Sequence, residues 1–248
     1  MIFRPQIGIP HGALYGGGGG APAPDPMTGG YLASYDNSIG YVNSHDLGTR
    51  DIGTAASNRY VVAVFTGQTN ESGASPTTGS MTIGGNAATK LAESTGDLIS
   101  GLFGAYVGIF MLNVPTGTTA AFAATTDFDV GQQYLAVYSF YGSGVTLLDS
   151  VSPSGDAVSG ALDLSLNTAN GGAVVGARFS FNHGAALDFD WIGLTEDFEV
   201  GVFGDQHQRG WAGDLIATGA SPRTVSVEAP ALGSGNSYAA AAVSLQPT

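Results

Sequence analysis

The sequence contains no cysteine and very few basic residues. Without cysteine the chain can form no disulfide, no thiolate nucleophile and no thiolate metal site. One lysine, Lys90, and six arginines stand against 20 acidic residues, for a formal charge of −13. Because contacts with phosphates require a basic surface, this balance argues against nucleic acids and anionic membrane surfaces as partners.

Long apolar runs are also missing from the 248 residues. No stretch of about 18 consecutive apolar residues occurs, so no transmembrane helix is predicted. Residues 1–10 are interrupted by Pro5, Gly8 and Pro10, and they lack the apolar core of a signal peptide. What is abundant is glycine, with 39 residues, and the hydrophobic fraction is 43%. This composition favours one β-rich domain.

The first 30 residues differ in composition from the rest of the chain. The glycine run 16–20 precedes the segment APAPDPMTGG, which predicts a flexible hinge followed by an extended proline segment. We therefore predict an extended Gly/Pro-rich arm over 1–30 and a β-sandwich domain over 31–248. Either the arm folds back on its own domain or frays, or it anchors the chain to a partner. The residues predicted to make such an anchor are Ile2, Phe3, Arg4, Ile7 and Ile9.

From residue 31 onward, short apolar runs alternate with Gly, Asn, Ser and Pro, and helical periodicity is nearly absent. This pattern predicts an all-β fold, an antiparallel and jelly-roll-like β-sandwich of about a dozen strands. Gly84-Gly85-Asn86 is typical of a hairpin loop. Strands are predicted at 59–66, 80–83, 87–92, 102–113, 118–125, 132–141, 161–167, 173–181, 187–194, 211–218, 223–229 and 238–245.

The order of several motifs carries a resemblance. These motifs are NRYVVAVFTGQ (58–68), SMTIGGNAATKLAE (80–93), GIFMLNVPTGTTAAFAATT (108–126), YLAVYSFYG (134–142), ALDLSLNTANGGAVVGA (161–177) and WIGLTEDFE (191–199). Together they resemble a β-sandwich module of virion proteins in tailed bacteriophages and prophages. The resemblance implies a virion location, other capsid or tail proteins as partners, and a homo-oligomer, with a trimer expected. It brings no catalytic residues.

An acidic segment near residue 190 suggests a calcium loop. Against the EF-hand pattern, four carboxylates fall at positions 1, 3, 9 and 12, and Gly193 falls at the turn position. They are Asp188, Asp190, Glu196 and Glu199. Position 5 is Ile192, which offers no side-chain oxygen. We favour the alternative, a strand with Phe189 and Trp191 facing inward and Asp188 and Asp190 in water, which leaves the chain without a metal or other cofactor.

Other chemistry finds little support in the sequence. The four histidines, at positions 11, 45, 183 and 207, lack the spacing of a zinc helix, and no G-x-S-x-G motif is present. Aromatic residues concentrate at 134–141 and 179–191, where they form either the core or an exposed sugar-binding surface. The resemblance, together with the lack of a recognisable active site, implies a non-catalytic virion structural protein that decorates a capsid or forms a head fibre. The alternatives are a tail-tip or tail-fibre adhesin that binds host-surface carbohydrate, and a hydrolase.

Overall fold

The structure of the chain is a computed structural model, and it describes residues 24–37, 40–69, 79–99, 103–156, 160–181, 190–201, 207–215, 223–229 and 237–248. These residues contain 17 β-strands and no helix, and therefore no helix that could cross a membrane. The strands are β1 (Thr28–Asp36), β2 (Val42–Asp51), β3 (Arg59–Thr69), β4 (Gly79–Ile83), β5 (Asn86–Ala87), β6 (Thr89–Ile99), β7 (Phe103–Asn113), β8 (Thr119–Tyr141), β9 (Val145–Val151), β10 (Ser154–Asp156), β11 (Gly160–Leu166), β12 (Ala173–Phe181), β13 (Asp190–Ile192), β14 (Glu196–Gly201), β15 (His207–Leu215), β16 (Arg223–Ala229) and β17 (Ser237–Pro247).

Every strand pairing among these residues is antiparallel. The strands form three sheets, with eight strands in the first, six in the second and three in the third. The predicted all-β, antiparallel, sandwich-like fold is therefore confirmed.

The first sheet is organised around β8, which is 23 residues long. Val130 of β8 pairs with Val42 of β2 on one side and with Thr69 of β3 on the other. Consequently β1 and β2 follow each other along one edge of β8, whereas β3 and β4 follow each other along the opposite edge. The sheet continues from β3 through β7 to β6. The two strands predicted at 118–125 and 132–141 are thus one continuous strand.

A bulge divides β8 into two halves with different surroundings. From Thr119 to Phe128, exposed and buried residues alternate strictly, whereas almost every residue from Gly131 to Phe140 is buried. The register with β3 shifts between these halves, and Gln132 adopts a positive φ of 46°. The extra residue reverses the alternation, so even-numbered residues before the bulge and odd-numbered residues after it share one core.

That shared core fills the inside of the first sheet, which curls until it is nearly closed. Glu93 of β6 joins the two edges, because its Oε1 accepts hydrogen bonds from the backbone N–H of Gly79 on β4 and from the hydroxyl of Tyr106 on β7, the latter at 2.7 Å. Its Oε2 lies 2.6 Å from the Lys90 ammonium. The core itself is composed of aliphatic and aromatic side chains, including Val61, Phe65, Phe110, Phe122 and Leu135.

The second sheet packs on the outer face of the first, and the third sheet packs on the second. β17 is central in the second sheet, with β12 on one edge and with β9 and β10 on the other. Small side chains of β12 and β17 face the first sheet: Ala173, Ala177, Ala239 and Ala241. On the opposite face, Trp191 and Leu164 pack with Val174 beneath the third sheet, which contains β11, β13 and β16.

The hairpin predicted at Gly84-Gly85-Asn86 is present. Gly84 and Gly85 form the two-residue loop between β4 and β5 with φ of +61° and +78°, which glycine adopts without steric cost. Five strands were not predicted: β1, β2, β9, β10 and β14. β1 begins at Thr28, three residues before the predicted domain boundary. β2 reads VNSHDLGTRD, and as an edge strand with many exposed positions it has few apolar residues to mark it.

Candidate functional site

A cleft of about 610 Å³ opens where the first sheet meets the second. This volume lies within the range of about 300–1,000 Å³ that is usual for small-molecule sites. The start of β1, the end of β8, and the segments of β14 and β15 contribute to it. The lining residues are Gly29, Gly30, Tyr31, Leu32, Ser139, Phe140, Tyr141, Thr195, Asp197 and Gly213. We refer to these residues as the inter-sheet cleft.

Two glycines allow β1 to lie against β8 at the cleft. Gly29 has a φ of +107°, and a Cβ placed there would lie 2.0 Å from the carbonyl oxygen of Ser139. Gly30 has a φ of +152°, and no heavy atom of the described residues lies within 4 Å of its Cβ position. A larger residue would be strained at either position. Gly29 therefore permits the close approach of β1 to β8, and Gly30 leaves the strand backbone open at the cleft.

A carboxylate enters the cleft at the point where the two sheets are joined. The hydroxyl of Tyr138, a fully buried residue on β8, donates a hydrogen bond of 2.9 Å to Oδ2 of Asp197 on β14. Burial raises the pKa of Tyr138 well above its usual value, and the negative charge of Asp197 raises it further. The hydroxyl therefore remains a donor to the carboxylate at neutral pH.

The position of Asp197 depends on a second bulge. The register of β14 and β15 shifts between Glu196 and Phe198, so Asp197 is the extra residue and its side chain is redirected. Gly213 on β15 provides the space, because a Cβ there would lie 2.7 Å from Tyr138 Cε1 and 3.4 Å from Asp197 Oδ2. A bulge and a glycine thus hold one half-buried carboxylate at the floor of the cleft.

Aromatic and apolar side chains form much of the remaining wall of the cleft, which also includes Ser139 and Thr195. Tyr31 packs edge-to-face on Tyr138, with ring centroids 5.5 Å apart. Leu32 is 37% exposed, which makes it one of the few large exposed hydrophobic residues in the described part of the chain. Tyr141 is half-buried, and its hydroxyl donates to the carbonyl of Thr54 at 3.1 Å. The cleft therefore combines an apolar surface with one acceptor carboxylate.

A buried histidine lies in the first sheet, apart from this cleft. His45 is 1% exposed, and its Nε2 lies 3.0 Å from Oγ1 of Thr126. The Thr126 hydroxyl donates its proton to the carbonyl of Phe128 at 2.6 Å, so His45 Nε2 carries the hydrogen of the pair. Burial lowers the pKa of His45, while the nearby Gln133 and Asp129 raise it. A histidine in this environment packs in the core and does not face a substrate.

Of the site residues predicted from the sequence, only Glu196 has a described side chain, and it does not line the cleft. Ile2, Phe3, Arg4, Ile7 and Ile9 lie outside the described residues, as does Asp188. The structure describes only the backbone of Asp190 and Glu199, and Glu196 is exposed.

The loop proposed for calcium connects strands of two different sheets. β13 pairs with β16 in the third sheet, whereas β14 pairs with β15 in the second. Gly193, with a φ of +86°, makes the turn between β13 and β14. Trp191 is buried, as the strand interpretation expects. Within the described part of the chain, no group of three or more His, Asp or Glu side chains could hold a metal ion.

The sequence did not predict the inter-sheet cleft. Of the aromatic concentration at 134–141, the side chains of Tyr134, Tyr138 and Phe140 are buried in the core, and Phe140 and Tyr141 are among the residues that line the cleft. A glycine pair directly before Tyr31 and Leu32 is the one local signal that points to β1. Asp197 belongs to the acidic segment considered for calcium, but its place at the cleft could not be predicted, because it depends on a bulge and on pairing with β15.

No family model, no curated protein and no solved structure matches the chain. The function of the chain therefore has to be inferred from the geometry of the site and the physical chemistry of its residues.

Proposed function

We propose that the chain is a non-catalytic structural component of a virion, a capsid-decorating or head-fibre protein that presents the inter-sheet cleft at its surface. The observation that carries this proposal is the stack of three antiparallel layers, the first of which is organised around one long strand. β8 pairs along both of its edges, and its second half is buried on both faces. A domain built in this way resists local unfolding, and this resistance suits a virion protein that must persist outside a cell.

The nearly closed first sheet supports the same role. A sheet edge with unpaired backbone groups invites pairing with other copies, and this risk is high where many copies are crowded on a particle. In this chain, Glu93 joins two edges of the sheet, and bulges interrupt the pairing of β2. Both features limit uncontrolled edge-to-edge association.

The proposed roles of the arm and of an oligomer rest on the sequence. The apolar residues of 1–9 would anchor the chain to another capsid or tail protein, and the resemblance to virion modules favours a homo-oligomer, with a trimer expected. The second candidate function is that of a tail-tip or tail-fibre adhesin. The inter-sheet cleft favours it, because an adhesin requires a surface site for a host-surface ligand.

The proposal is tested by particle incorporation. A chain that lacks residues 1–20 should remain folded by circular dichroism and yet be absent from purified particles, whereas the full chain is retained. Cryo-electron microscopy of the particles should then locate the full chain in repeated copies on the capsid or a head fibre. Normal incorporation of the shortened chain would refute the anchoring arm, and density at a tail tip alone would favour the adhesin.

A further inference from the structure

We infer that the inter-sheet cleft binds a neutral saccharide. The inference deepens the proposed function and rests on it for the role of the cleft as a surface site. The binding itself can be measured on the isolated chain, wherever the chain lies on a particle.

The carboxylate defines what the ligand must offer. An ionised carboxylate only accepts hydrogen bonds, so the group opposite Asp197 must be a donor. Tyr138 holds Oδ2 of this carboxylate at 2.9 Å and fixes its orientation, which reduces the entropic cost of binding. Hydrogen bonds to an ionised acceptor are about twice as strong as those between neutral groups. A hydroxyl donor would therefore be bound with both strength and direction.

The apolar wall defines the opposite face of the ligand. Leu32 and Tyr31 are adjacent on β1 and line the cleft beside Gly30, and no heavy atom of the described residues lies within 4 Å of the Gly30 Cβ position. A pyranose ring has hydroxyls around its edge and aliphatic C–H groups on its faces. It can therefore contact an apolar wall with one face while an edge hydroxyl reaches the carboxylate.

Charge and hydrogen-bonding chemistry select among possible ligands. The formal charge of −13 and the carboxylate of Asp197 disfavour acidic sugars, because like charges repel. Thr195 also lines the cleft and is exposed, and a threonine hydroxyl both donates and accepts hydrogen bonds. Saccharide hydroxyls match both properties. A neutral hexose-type saccharide is therefore the ligand class that fits best.

The test uses the purified full chain on an array of neutral and acidic glycans, followed by calorimetry with the neutral oligosaccharides that bind. Two variants remove the proposed contacts: Asp197→Asn, which keeps an acceptor for Tyr138, and Leu32→Ala. Each should weaken binding by about tenfold or more, as expected for the loss of a charge-assisted hydrogen bond or a buried apolar contact.

Matched controls are available in the same chain. Leu147 is 38% exposed on β9, and Asp163 is exposed on β11; neither lines the cleft. Leu147→Ala and Asp163→Asn should therefore bind the saccharide as the unmodified chain does. Circular dichroism and thermal unfolding establish that every variant is folded, and Leu32→Ala provides the test at an exposed position if Asp197→Asn does not fold.

Three outcomes would overturn the inference. They are the absence of binding to any neutral glycan at millimolar concentration, binding that both cleft variants leave unchanged, and a preference for acidic glycans. Failure of the virion proposal is distinguishable, because a chain that binds neutral glycans but is absent from particles contradicts only that proposal. Conversely, a chain incorporated into particles that binds no glycan contradicts only the saccharide site.

Discussion

Charged side chains hydrogen-bond to the backbone around the first sheet, whereas the second sheet packs against its neighbours mostly through small side chains. In the first sheet, the guanidinium of Arg59 donates to the carbonyls of Gly53, Val114, Thr116 and Gly117 at 2.7–2.8 Å. The second sheet instead presents alanines on β12 and β17 to the first sheet, and Gly176 accommodates the ring of Trp191 on its other face.

The difference follows from shape. A sheet that curls on itself brings loops and edges together, and their backbone groups need hydrogen-bonding partners that a sheet ladder does not supply. Sheets that stack face to face have their backbone groups paired within each sheet, so the main requirement between them is close packing. The first sheet should therefore be sensitive to the loss of one polar side chain, and the second sheet should be sensitive to added volume.

Removal of the Arg59 guanidinium should have the largest effect. Arg59 is fully buried, and Arg59→Met deprives four carbonyls of a charged donor. We expect a loss of about 4 kcal/mol in the free energy of unfolding, measured by urea denaturation. The control is Arg50→Met, since Arg50 is only part-buried and contacts Leu47, Asn37 and the ring of Tyr35. An equal loss in both variants would contradict the special role of Arg59.

Opening the junction at Glu93 should have the next largest effect. Glu93→Ala leaves the hydroxyl of Tyr106, which is fully buried, and the N–H of Gly79 without their acceptor. We expect a loss of about 2–3 kcal/mol in the free energy of unfolding. Glu93→Gln retains an acceptor oxygen and should lose roughly half as much. If the alanine and glutamine variants unfold identically, the hydrogen bonds do not join the edges as described.

Added volume should destabilise the interface between the first and second sheets. Ala241 on β17 is fully buried in that interface, and Ala241→Leu would overpack it at a cost of about 2 kcal/mol. Ala121 on β8 is exposed, so Ala121→Leu introduces the same atoms without a packing cost. Thermal and chemical unfolding of the two variants compare them directly. A tolerated Ala241→Leu would mean that the layers can separate, contrary to the contrast between the sheets.

Several strands could be predicted from the sequence because their apolar side chains indicate burial on both faces. The run from Arg59 to Phe65 is rich in β-branched residues, and β3 is buried from Val61 to Thr69. The hairpin at Gly84 and Gly85 was accessible because its turn type requires positive φ. In both cases the types of adjacent residues reflect a local physical requirement, which is burial in β3 and backbone conformation in the hairpin.

The unpredicted features depend on pairing between distant residues. The bulge at Gln132 merges two predicted strands into β8, and it appears only when the register with β3 is known. The bulge that exposes Asp197 to the cleft depends on β15 in the same way. Alanine-rich β17 was predicted as a strand, yet nothing local indicated that it lies between two other layers. The cleft follows from these long-range pairings, and therefore no local motif marks it.

Acid should weaken the first sheet through His45, with the smallest of the four effects. Because burial lowers the pKa of His45 in the folded chain, the unfolded chain, with a pKa near 6.5, binds the proton more readily. The free energy of unfolding should therefore fall as the pH decreases below about 6.5, by about 1 kcal/mol between pH 7 and pH 5, before most carboxylates titrate. His45 Nδ1 and Gln133 Oε1 are both buried acceptors without a hydrogen-bond partner in the described part of the chain, so a proton on Nδ1 would gain an acceptor at Gln133 and limit the loss.

The variant His45→Gln tests this expectation, because it removes the titrating group from the first sheet. Urea denaturation at several pH values between 7 and 5 should give a flatter dependence for the variant than for the unmodified chain. In His45→Gln with Gln133→Leu, the flat dependence should persist, since no titrating group is restored, whereas Gln133→Leu alone should steepen the dependence by removing the acceptor for protonated His45. Parallel pH profiles for the unmodified chain and His45→Gln would show that a group elsewhere governs the acid sensitivity of the chain. The polar side chains on which the stability of the first sheet is argued to depend would then be Arg59 and Glu93 alone.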